Sequence, residues 1–240
     1  MAFEPFFQIL RGIQARRPNA RISGIQNAHQ IAFLRNLQKE MKQEDALSLP
    51  LQELKVVVFD IETTGFFPEK GDGIISIGAT KMKGGDLIEE ESFYSLVRYD
   101  KAVPPEIEEL TGITTAQAEA SPELSDIFIR FMEFKEDSTL VAHHAQHERA
   151  FMHHASSKLF KTPFTHRIVD TSFLFKAMDP EVQLLTLDDW CRFNDIPIIG
   201  RHHALGDAKM TAKLWSIYVN KAMENGCETL RDVYERYSRI

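Results

Sequence analysis

The feature that most limits what this chain can become is the run Val56-Val57-Val58-Phe59, which is β-branched, apolar at every position and followed at once by Asp60 and Glu62. A strand with only one buried face alternates apolar and polar side chains, so an unbroken run implies a strand covered by helices on both faces. That predicts a central strand of an α/β sheet. Ile74 to Met82 reads as a second strand, Gly84-Gly85 as a tight turn and Leu87 to Val97 as its hairpin partner, which makes the sheet mixed. Beyond the hairpin, helical patterns cover Pro105 to Leu110 and Pro122 to Phe134, followed by a strand at Thr139 to Ala142 and a helix from about Glu148. A strand near Arg167 to Val169 comes next, and the longest helix runs from about Ala204 to Ala222. Alternation after an opening meander is the pattern of an α/β domain.

The first fifty residues follow a different rule. Phe3, Phe6, Phe7, Leu10 and Ile13, then Ile31, Leu34, Leu37 and Met41, recur at helical spacing on either side of Pro18-Asn19. Two short amphipathic helices are expected there. This segment holds seven basic residues against four acidic ones in a chain whose net charge is −7. It reads first as a helical arm packed on the domain, and second as an arm that binds nucleic acid or a protein partner. The domain division is therefore a helical extension over residues 1–50, a main domain over 51–225 and a C-terminal helix over 226–240.

Charge and composition exclude several classes. With 43% apolar and 26% charged residues the chain is neither disordered nor fibrous, and its two cysteines make no disulfide framework. The opening apolar run is preceded by Glu4 and cut by Arg11, which is not a signal peptide, and no stretch of about 18 apolar residues offers a membrane span. A soluble, cytoplasmic protein without a membrane partner is expected. Net acidity argues against coating nucleic acid by bulk charge, yet leaves open an enzyme that grips a phosphodiester through metal ions.

Asp60 and Glu62 lie two apart in a strand, so their carboxylates point to one face. Two such charges need a shared proton, a basic partner or a hard cation, and carboxylate oxygens suit Mg²⁺ or Mn²⁺, although taken alone the pair reads first as acids capping the next loop or helix. Downstream of Asp60 the nearest cationic residue is Lys70. The histidines around His147 do not complete a zinc motif: His147-Glu148 begins His-Glu-x-x-His, but Phe151 holds the second histidine's place. His143 and His147, one helical turn apart, are left as a possible chelate, with polar residues on a helix face as the preferred reading.

The stretch Val-Phe-Asp60-Ile-Glu62-Thr63-Thr64-Gly65, followed by Gly73-Ile-Ile-Ser-Ile-Gly78-Ala, resembles the first motif of the DnaQ-like exonucleases, the family with a DEDDh active site. Val141-Ala-His143-His144-Ala145-Gln146-His147-Glu148 resembles the second, usually His-Asn-Ala-x-Phe-Asp, with His144 for Asn, His147 for Phe and Glu148 for Asp. His202-His203-Ala204-Leu205-Gly206-Asp207-Ala208 is similar to the third, and Val103 to Thr114 matches a further shared segment. The resemblance covers Val56 to Trp215 and implies a ribonuclease H-like fold and 3′→5′ exonuclease activity.

It also implies the site. Asp60 would bridge two divalent ions, Glu62 and Asp207 would complete the first position, Glu148 would support the second, and His202 would take the proton from water. Residues Thr63, Thr64 and Gly65 would contact the terminal sugar and Phe66 would stack on a terminal base. Phe66 is equally readable as a core ring, and Phe67 is read as one. At about 100° per residue, five positions put His202 and Asp207 roughly 140° apart on a helix, so His202 must precede the helix if both reach one cleft. His203, four before Asp207, is the rival and would form an intrahelical pair. Asp170 is read as a helix cap, and Asp188 and Asp189 as first-turn residues ahead of Trp190. The substrate is expected to be DNA, single-stranded or at 3′ ends. RNA trimming and a weakened domain that only binds nucleic acid or a partner are the alternatives. With the extra material at the N-terminus, constitutive membership of a replicase is not expected.

Overall fold

A computed structural model describes residues 46–239, so both expected N-terminal helices lie outside the described residues. Five strands form one sheet in the order β3-β2-β1-β4-β5: β1 (Lys55–Thr63), β2 (Ile74–Lys83), β3 (Asp86–Leu96), β4 (Thr139–Ala142) and β5 (Ile168–Asp170). The central β1 runs antiparallel to β2 and parallel to β4. The fold is the mixed, helix-flanked sheet of the ribonuclease H-like class.

The Val-rich run is apolar throughout because its two faces enter two cores. Val56 and Val58 pack with Trp215 and Tyr218 of the long helix, while Val57, Phe59 and Ile61 pack with Phe128, Phe131 and Phe151 on the opposite side. The helices are α1 (Pro105–Thr111), α2 (Thr115–Glu119), α3 (Leu124–Lys135), α4 (Gln146–Phe160), α5 (Thr171–Met178), α6 (Leu187–Phe193), α7 (Ala204–Glu224) and α8 (Leu230–Tyr237). Helix α2, which the periodicity did not predict, is short and held by a capping box between Thr114 and Gln117. Local side-chain bonds of that kind leave no apolar period to read. Helix α8 is anchored by buried Leu230 and Val233, and its Tyr234 ring stacks on Phe173 of α5 at 4.2 Å.

One glycine decides how near α7 comes to the sheet. Gly78 on β2 lies directly opposite Asp60 on β1, and a Cβ there would stand 2.1 Å from the backbone nitrogen of Leu205. The first turn of α7 therefore rests on the sheet beside Asp60, and its third residue beyond Ala204, Asp207, is delivered to the same spot.

Candidate active site

Asp60 and Glu62 occupy alternate positions near the carboxyl end of β1, on the face that also carries Val56 and Val58, which is the face α7 covers. Asp207 comes from the first turn of α7 and Glu148 from the first turn of α4. One carboxylate oxygen each from Asp60, Glu62 and Asp207 lies within 4.8 Å of the others, and this is the only group of its kind among the described residues. No histidine chelate forms there: His143 Nδ1 pairs with Thr171 Oγ1 at 2.8 Å and His147 Nε2 with Thr63 Oγ1 at 3.1 Å.

The acids are crowded and dry. Glu148 and Asp207 are each 4% exposed and Glu62 is 9% exposed. Burial first, then the neighbouring carboxylates Glu148, Glu62 and Asp207, hold the Asp60 carboxyl well above its usual range. Burial and Asp207 push Glu62 up to about 7, and burial above all pushes Glu148 up to about 8. Asp207 is raised to about 6 by burial, against the pull of Arg201. Glu148 and Asp207 both sit where a helix dipole favours a negative charge by up to about 2 kcal/mol. Desolvation outweighs it.

Oε2 of Glu148 and Oδ1 of Asp207 are buried without a hydrogen-bond partner. Such acceptors are costly unless something positive meets them. An all-oxygen donor set with spare lone pairs fits a hard divalent cation, and the residues present therefore suit Mg²⁺ or Mn²⁺.

His202 lies two residues ahead of α7, off the helix, as the five-residue spacing to Asp207 requires. Its backbone is left-handed, φ 58°. Burial, then Arg201, lowers its pKa below the ordinary histidine value. The rival His203–Asp207 pair does not form: His203 is the N-cap residue of α7, and its ring stacks on Tyr94 at 4.3 Å. The side-chain partner of Asp207 is Arg201.

Arg201 is the residue of this cluster that sequence reasoning missed. It donates to Asp207 through Nη1 and to Asp188 through Nε. Lys70 is the nearest cationic residue downstream of Asp60, whereas this guanidinium arrives from 141 residues further along the chain. Its position beside the third motif was the available signal. Asp188 is a first-turn residue of α6, as expected, but it also receives this arginine.

The turn after β1 is held by its own polar groups. Thr64 is buried and its hydroxyl accepts from Gly73 N at 3.0 Å, while Thr63 Oγ1 donates to the carbonyl of Gly65. At Gly65 an added Cβ would meet the Asp72 carboxylate at 2.4 Å, and that carboxylate accepts from Phe67 N. The loop thus presents Phe66 outward: it is 76% exposed and lies edge-on to His147 at 5.8 Å. Neither ring plugs the core. Phe67, read as a core ring, is 50% exposed with Lys70 over its face, because the Asp72 clasp turns this segment outward.

One departure in the second motif finds a physical account. His144 has φ 54°, a left-handed conformation in which Asn and His are both enriched, so a histidine can stand where asparagine is usual. Its backbone N–H and that of Ala145 donate to Asp170, which also caps α5 through Ser172 N at 2.9 Å. Asp170 is saturated by backbone donors, as a structural residue should be. By clamping this turn it also aims the first turn of α4, and with it Glu148.

The chain is 34% identical over 182 residues to a "DNA polymerase III PolC-type" of Clostridium perfringens, an alignment that takes in 74% of this chain but 12% of that protein. The chain thus spans about an eighth of the length of the curated relatives of this type. Among solved structures, E. coli exonuclease I in complex with a dT13 oligonucleotide superposes with a TM-score of 0.62 at 16% identity, covering 72% of this chain and 43% of that one. The nuclease domain of 3′hExo, described as a DEDDh family member bound to rAMP, superposes with a TM-score of 0.62 at 19% identity, covering 73% and 94%. These two likenesses establish the fold. Among the described residues, no helix is long and apolar enough to cross a membrane. The family model described as "RNase_T: Exonuclease" matches residues 57–215, most of the chain, and the chain is accordingly a member of this exonuclease family.

Proposed function

We propose that the domain is a 3′→5′ exonuclease that releases nucleoside 5′-monophosphates from DNA, using two divalent ions, Mg²⁺ or Mn²⁺. The carrying observation is the convergence of Asp60, Glu62 and Asp207 within 4.8 Å beside the orphaned oxygen of Glu148. Asp60, Glu62, Asp207 and Glu148 would hold the ions, and bound ions of this kind acidify a water and neutralise phosphoryl oxygens. The protein's own residues supply the rest. His202, unprotonated at neutral pH, accepts the proton of the attacking water. Glu148 reaches one methylene further than aspartate, and its place on the first turn of a clamped helix brings its charge near enough to raise the Asp60 carboxyl. Phe66 at the rim offers a face to a terminal base, which tolerates any sequence because every base has a π-face. Thr63, Thr64 and Gly65 shape the backbone that would meet the terminal sugar, with the Thr63 hydroxyl tied to Gly65 O and His147.

DNA is favoured over RNA because the curated relative is named as a DNA polymerase. The test is incubation of end-labelled single-stranded DNA, RNA of the same sequence and circular DNA with Mg²⁺ or Mn²⁺, beside an Asp60→Ala control. Metal-dependent release of 5′-mononucleotides from the 3′ end of linear DNA, lost in the control, is expected. Cleavage of the circle, or equal turnover in the Asp60→Ala protein, would refute the reading. Faster turnover of RNA would transfer it to RNA trimming.

A further inference from the structure

Arg201 joins two carboxylates that stand on different helices. Its Nη1 donates to Asp207 Oδ2, its Nε donates to Asp188 Oδ1, and Nη1 lies 3.4 Å from His202 Nδ1. The side chain is 28% exposed, so its charge acts across a partly dry space. The same charge opposes the rise in proton affinity at Asp60, Glu62 and Asp207. Asp207 is therefore divided: Oδ2 is taken by the guanidinium, while Oδ1 is buried and has no partner.

A divalent cation drawn to Asp60, Glu62 and Asp207 would come to rest a few ångströms from this guanidinium. Two positive charges would then contend for one carboxylate. Even when screened as strongly as in water, at an effective dielectric of about 80, repulsion between a divalent ion and this charge about 5 Å away changes an affinity by roughly tenfold or more. The Nε contact gives the guanidinium somewhere else to go, because Asp188 can keep hold of it while Nη1 withdraws from Asp207.

We infer that Arg201 is the counter-charge of the metal-free acid cluster and the antagonist of the cation, and that Asp188 holds it in reserve, so that the Asp188–Arg201 pair sets the metal affinity of the site. This rests on the reading of the cluster as a metal centre. It makes Arg201 a positioning residue, acting through Asp207. A stored cation of this kind keeps the cluster tolerable before metal arrives. It also raises the metal level needed to fill the site, since the ion has to displace a resident charge.

The experiment is titration of the metal-stripped full chain with Mn²⁺ alone, following free Mn²⁺ by electron paramagnetic resonance, with circular dichroism to verify folding. Arg201→Gln is expected to bind Mn²⁺ about tenfold more tightly than the unaltered protein. Arg201→Lys, which keeps the charge, is expected to stay within about threefold of it. Asp188→Asn is expected to bind about fivefold more weakly, and most of that loss is expected to vanish in the Arg201→Gln background, since Asp188 acts through Arg201. A structural role alone would move both single variants in one direction. Weaker binding by Arg201→Gln, or none of the expected tightening, overturns the inference while Asp60→Asn, which should abolish binding, still supports the metal centre. Failure of the unaltered protein to bind Mn²⁺ overturns both.

Discussion

Replacing Glu62 by Gln is expected to stabilise the metal-free protein at pH 8 and to change it little at pH 5. Glu62 is raised from 4.5 to about 7 by burial and by Asp207. The folded state therefore holds this proton more tightly than the unfolded chain does, and stability falls as pH climbs from the unfolded value through the folded one. Well below pH 4.5 both states are protonated and the carboxyl costs nothing. By pH 8 both are ionised, and at 1.36 kcal/mol per pH unit of difference the buried charge costs about 3 kcal/mol. At pH 5 the same linkage gives less than about 1 kcal/mol. Gln keeps the size and cannot ionise, so the cost disappears. The assay is urea denaturation in chelator at both pH values, for the unaltered protein and Glu62→Gln. With 1 mM Mn²⁺ or Mg²⁺ the order is expected to reverse, because the ionised carboxylate then has a cation to hold. Equal effects at pH 5 and pH 8, or destabilisation at pH 8 without metal, would refute the electrostatic reasoning.

Three further outcomes can be measured. Because burial and Arg201 lower the His202 pKa, the acid limb of the pH–rate profile is expected below the ordinary histidine value of about 6.5, and to vanish in His202→Ala but persist in His203→Ala. Gly78→Ala would force a Cβ against Leu205 N and lift the start of α7, costing about 1–3 kcal/mol in thermal or chemical denaturation and weakening Mn²⁺ binding through Asp207. Phe66→Ala is expected to weaken single-strand binding by about 1–3 kcal/mol without altering folding stability, since the ring is exposed, and unchanged affinity would remove the stacking role.

The sequence alone was enough for the layout around β1. A continuous apolar run can be satisfied only by burial on both faces, and the period-two geometry of a strand sends Asp60 and Glu62 to one side whatever else the chain does. The placement of His202 ahead of α7 was likewise legible, because helical geometry forbids two residues five apart from sharing a face. Asp170 as a cap followed from its position before a helix.

Tertiary structure decided the rest. Whether Phe66 and Phe67 face inward or outward depends on the Asp72 clasp, and the choice between His203 and Arg201 as partner of Asp207 depends on Tyr94, on which the His203 ring stacks while Arg201 reaches the carboxylate. The closeness of α7 to Asp60 hangs on the missing side chain of Gly78, a contact between segments 127 residues apart. Periodicity and capping are written in neighbouring residues and can be read there. The sign and strength of an electrostatic site come from charges that meet only after folding, in a medium whose polarity folding itself creates.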